Sequence, residues 1–177
     1  LALRHMATLY GLDPENPIFR ALLRLWPLNE DAQPLLALTV ALARDPLLRG
    51  TQPFILHQVA SASVRRESIE ALLSSTYPDR FSPASLKSFA QNVSGTWTAA
   101  GLLHGRARKT RAVVQPHPES VTLLLFLGYL EGRTGQRLFS SDWTNLLGSS
   151  PDELEAHATS ASHRGLMVFM NAGGVKE

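Results

Sequence analysis

Apolar residues recur at helical spacing along most of this chain. Leu1, Leu3, Met6, Leu9 and Tyr10 mark a first helix that Gly11 closes. Ile18, Leu22, Leu25 and Trp26 share the face of a second, ended by Pro27. Leu35, Leu38 and Leu42 share a third, which starts near 29–32 and stops at the Arg44-Asp45-Pro46 corner. A short bridge at 46–50 leads to a helix over about 53–61 and another over 63–75, with Val64, Ile69, Leu72 and Leu73 inward. The most fully specified helix follows a turn at 77–80. Ser82 can cap it, Pro83 suits its first position, and Leu86, Ala90, Val93, Trp97 and Ala100 form one stripe before Gly101 stops it. The period then changes: Leu102-Leu103 and Ala112-Val113-Val114 are short apolar runs either side of a polar loop, as in a hairpin. Residues 119–131 predict a buried helix whose apolar run of 121–130 is about half of what spans a membrane. A short strand at 138–139, a short helix at 142–147 and a helix over 151–163 capped by Ser150 come next. Beyond Gly165, residues 166–170 read as a strand, 171–174 as a turn and Val175 as the start of a return strand.

Charge singles out the central hairpin. The chain carries 17 Lys and Arg and 15 Asp and Glu, a net charge of +2. Yet residues 80–118 hold six of those cations (Arg80, Lys87, Arg106, Arg108, Lys109 and Arg111) and no carboxylate. A concentrated positive patch on an otherwise acidic chain is the footprint of a polyanion partner.

The order helix, Gly101-Leu102-Leu103, then His104-Gly105-Arg106-Ala107-Arg108-Lys109-Thr110-Arg111, then a return to Pro116, resembles the recognition helix and wing of winged-helix DNA-binding domains. The resemblance covers about a quarter of the chain. It implies that a helix over about 83–100 enters the major groove, with Lys87, Ser88, Gln91, Asn92 and Thr98 as base-reading candidates. It also implies that a wing over about 104–111 grips the backbone through Arg106, Arg108, Lys109 and Arg111, joined by Arg80. Gly95 would let the helix backbone approach a groove closely. Gly165-Leu166-Met167 occupies the place of Gly101-Leu102-Leu103, which suggests a degenerate repeat. The expected fold class is therefore mainly α with small β-hairpins. A helical N-terminal region (1–62) would pack on a winged-helix-like unit with a basic wing (63–118), followed by a second, degenerate unit without a basic cluster (119–177).

Other chemistry finds little support. There are no cysteines, and His5, His57, His104, His117, His157 and His163 are scattered, so neither metal nor cofactor is expected. No nucleophile elbow, phosphate-binding glycine loop or paired acidic motif is present, which argues against an enzyme. Trp26, Trp97 and Trp143 sit in apolar stretches and read as core residues or interface anchors. With no leader and no spanning run, a cytoplasmic, non-membrane protein is expected. The leading function is non-enzymatic binding of duplex DNA. The alternative is an adaptor or scaffold subunit that binds protein through the second unit or the N-terminal helices. The second wing without a basic cluster and the charge-balanced, apolar N-terminal helices favour it, and the stretch from Ser82-Pro83-Ala84-Ser85-Leu86-Lys87 to Ala100-Gly101-Leu102-Leu103 loosely resembles small helical proteins of bacterial phage-defence operons, with no residue carried over. RNA binding would need exposed aromatics, and the basic segment offers only Phe81, Phe89 and Trp97.

Overall fold

The computed structural model describes residues 13–172 and 175–176; the helix expected over 1–11 and the Gly173-Gly174 turn lie outside them. The described chain is mainly helical. Helices α1 (Pro17–Leu25) and α2 (Gln33–Arg44) lead to α3 (Pro46–Gly50), α4 (Gln52–His57), strand β1 (Ser63–Val64), α5 (Arg66–Thr76) and α6 (Pro83–Ala99). Strands β2 (Leu103–His104) and β3 (Lys109–Arg111), helices α7 (Pro118–Leu130) and α8 (Pro151–His163), and strands β4 (Asn171–Ala172) and β5 (Val175–Lys176) complete the order. Among the described residues no helix is long and apolar enough to cross a membrane.

The chain forms two compact units whose limits differ from the three segments expected: a central unit, Asp45–Val113, and a flanking unit built from Leu1–Arg44 and Val114–Glu177. Helix α7 explains the difference. It buries Val121, Leu123, Leu124, Leu125 and Leu127, positions that run around the whole cylinder, and a helix apolar on every side needs several partners. It takes α1, α2 and α8. Leu22, Leu25, Ala32, Leu36, Val40 and Leu123 form one core cluster there, so the N-terminal helices belong with the C-terminal ones. The second winged unit is also corrected. Residues 166–170 are not a strand, and β4 and β5 pair only with each other. The strand expected at 138–139 lies at the end of a 3-10 turn, Gly135–Leu138.

In the flanking unit, Glu119 is fully buried at the start of α7. Arg164 Nη2 stands 2.5 Å from its Oε1, and Asn29 Nδ2 donates to Oε2 at 3.3 Å. Burial pushes this carboxyl up, but backbone N–H donation, Asn29 and Arg164 outweigh it and hold the group below its ordinary value.

The central unit is built around α5 packed on α6. Ser82 caps α6 through the backbone N–H of Ser85, and Ala90, Val93 and Trp97 bury its apolar stripe as the spacing predicted. Trp97 is core: its Nε1 donates to Thr51 Oγ1 at 2.9 Å, and that hydroxyl donates to the Leu48 carbonyl at 2.7 Å. The 63–75 helix is corrected at its start, since Ser63 and Val64 are strand β1, antiparallel to β3 with Ser63 opposite Thr110 and Val64 opposite Lys109. Strand β3 also pairs with β2, Leu103 opposite Arg111, which gives the sheet order β1-β3-β2. Because β1 captures Lys109–Arg111, the return strand begins earlier than the apolar run at 112–114 suggests, and the loop shortens to residues 105–108.

A cationic cleft in the central unit

The sheet and the two helices enclose a cleft of about 680 Å³. One wall is β1 with the first turn of α5 (Ser63 to Glu67), another the middle of α6 (Gln91, Ser94, Gly95), and the third the hairpin loop with Lys109. Local sequence dictates each wall. Arg65 turns the chain from strand to helix as the extended residue before α5, and its side chain makes no cap hydrogen bond. Gly105 makes the hairpin tight: its φ is 102°, in the left-handed region, and a Cβ there would fall 2.2 Å from the Arg108 carbonyl oxygen. Gly95 has no such reason. A Cβ at that position meets nothing within 4 Å, although a mid-helix glycine costs about 1 kcal/mol against alanine. Its bare backbone lines the cleft.

Arg65, Arg106 and Arg108 reach this cleft from two segments distant in sequence, all exposed, and none forms an ion pair among the described residues. Lys109 is half-buried and donates from Nζ to the Gly105 carbonyl at 2.6 Å, which ties the loop across its base. Arg66 is already committed, 2.8 Å from Glu67 and 2.7 Å from Glu70. Glu67 is the sole carboxylate among the lining residues. A backbone N–H bond at its own residue, opposed by some desolvation and helped by Arg66 and Arg65, holds its carboxyl below the ordinary value.

The structure sorts the residues expected to bind. Arg106, Arg108, Lys109 and Gln91 line the cleft. Lys87 and Ser88 are exposed on the face of α6 that carries Gln91 and Gly95, and Asn92 is exposed toward its edge. Thr98 turns its hydroxyl back onto the Ser94 carbonyl at 2.7 Å. Arg80 lies over the rings of Tyr77 and Phe81, 5.2 and 5.6 Å from their centroids, outside the cleft lining. Arg111 is corrected outright. It is only 9% exposed and its Nη1 donates to the carbonyls of Leu102 and Ala112, so it braces the hairpin instead of meeting a ligand. Burial also lowers its pKa from the ordinary arginine value.

Sequence reasoning missed Arg65 and Glu67, which it left inside a helix. The available signal was an Arg-Arg pair directly after a Ser-Ala-Ser-Val stretch of strand-compatible residues. Among the described residues no group of three His, Asp or Glu could hold a metal. Compared with protein-family models, curated proteins and solved structures, the chain finds no match.

Proposed function

We propose that the central unit is a winged-helix module that binds duplex DNA and catalyses no reaction. The element order supports this: helices, β1, α5, α6 and a basic hairpin, with the first strand pairing the last, is the order by which such modules present a helix and a wing together. The observation that carries the reading is the convergence of the exposed Arg65, Arg106 and Arg108 on a cleft walled by Gly95. Arginine forks pair two donors with phosphate oxygens, and each neutralised phosphate releases counterions. Lys87, Ser88 and Gln91 face the base edges in this reading, since a major groove about 12 Å wide admits a helix.

The test is fluorescence anisotropy of a labelled duplex of arbitrary sequence over a salt series. Wild type is expected to bind with a steep salt dependence. Arg106→Ala with Arg108→Ala should flatten the slope of log affinity against log salt by about 2, and Arg65→Ala by about 1. Unchanged affinity and slope in all three variants would overturn the assignment.

A further inference from the structure

The flanking unit has a groove that DNA binding does not use. It measures about 700 Å³ and runs between α1, α7 and residues 166–168. Its lining is mostly apolar, with Phe126 and Met167 half-buried in it and Tyr129 and Val168 at its rim, 60% and 80% exposed. Large apolar side chains grouped in one concave surface mark a place that another molecule covers. Arg20 and Arg24 stand one turn apart on α1 among the same lining residues, both exposed, and neither forms an ion pair among the described residues.

We propose that this groove docks an acidic amphipathic helix of a partner protein, its apolar stripe on Phe126 and Met167 and its carboxylates on Arg20 and Arg24. Thioether side chains adapt to varied apolar surfaces, and Met167 already lies 3.9 Å from the Thr122 hydroxyl at the groove wall. Charge complementarity selects the occupant. Residues 1–12 carry Arg4 and His5 and no carboxylate, the wrong sign for two arginines. A second copy offers acidic Asp152 and Glu153 at the start of α8, but that helix already buries its apolar face through Leu154, Ala158 and Ala161.

The probe is a labelled 16-residue helical peptide with leucines at i, i+3, i+4 and i+7 and glutamates flanking them, titrated with the full chain and read by anisotropy. Wild type is expected to bind it. Arg20→Glu with Arg24→Glu, at exposed positions, should weaken binding at least tenfold and should prefer the same peptide carrying lysines. An unchanged thermal melt establishes that this variant is folded. The proposal falls if the peptide does not bind, or if the charge swap fails to reverse the preference. It falls also if sedimentation shows a dimer that Met167→Asp dissociates, which assigns the groove to a second copy. Peptide binding that appears only after removal of residues 1–12 would assign it to the chain itself. Because Arg20 and Arg24 lie outside the central unit, each of these outcomes stands apart from the DNA result.

Discussion

Arg111 donates to two backbone carbonyls with its guanidinium buried, while Arg106 and Arg108, a few residues earlier in the same hairpin, meet solvent. Arg111→Ala should therefore lower stability by about 1–3 kcal/mol, the net contribution of hydrogen bonds from a charged donor, although the Leu102 carbonyl keeps the Ala112 N–H. Arg106→Ala with Arg108→Ala should leave stability within about 0.5 kcal/mol, as surface changes do. Chemical denaturation beside DNA titration separates the two classes. Gly95 gives a prediction of opposite signs. Gly95→Ala should raise stability by about 1 kcal/mol, since the new methyl meets no atom of the protein. If DNA approaches the bare backbone there, the same methyl should weaken binding severalfold. A variant that is more stable and binds equally well would show that the glycine serves no contact.

Helix α7 should give the flanking unit an acid sensitivity through Glu119. A carboxyl held below its ordinary pKa of 4.5 adds stability that is present above that value and lost as pH falls through the lowered one. Thermal melts should therefore drop from about pH 4.5 downward. Glu119→Gln should melt lower than wild type at pH 7 and lose part of that acid dependence; parallel pH profiles for the two proteins would refute the assignment. Helix α6 was legible in the sequence because its 17 residues repeat an apolar period several times, and α7 because its continuous apolar run, bounded by Pro118 and Gly132, is too long for a strand. Strand β1 was not, since two residues carry no period and Ser63 and Val64 become a strand only through pairing with β3. That one miss propagated. The register of the hairpin follows from β1, and the register decides that Arg111 faces inward while Arg65 joins Arg106 and Arg108.

Across the whole molecule, charge divides as the units do. Asp45–Val113 holds nine Lys or Arg against four Asp or Glu, and the remainder eight against eleven. The basic segment was visible in the sequence as 80–118, but the cationic cleft also takes in Arg65 because folding brings the start of α5 to the hairpin. Hydrogen exchange of the full chain with and without duplex should show this division. Protection is expected at 63–67, 91–95 and 105–109, and none at 118–130. Protection confined to α7, or spread evenly over both units, would contradict a DNA site in the central unit.

Glu67, ion-paired to Arg66 and with its carboxyl held below the ordinary value, sets one carboxylate in the cleft that Arg65, Arg106 and Arg108 line. A small anion entering the cleft gains from the arginines and loses to this carboxylate, whereas a polymer that engages Arg65, Arg106 and Arg108 together outweighs one repulsion with several attractions. On the proposed DNA-binding reading, the cleft would favour chains of phosphates over single phosphates and mononucleotides. Glu67→Gln should tighten DNA binding severalfold and at the same time let inorganic phosphate compete at concentrations that leave wild type unaffected.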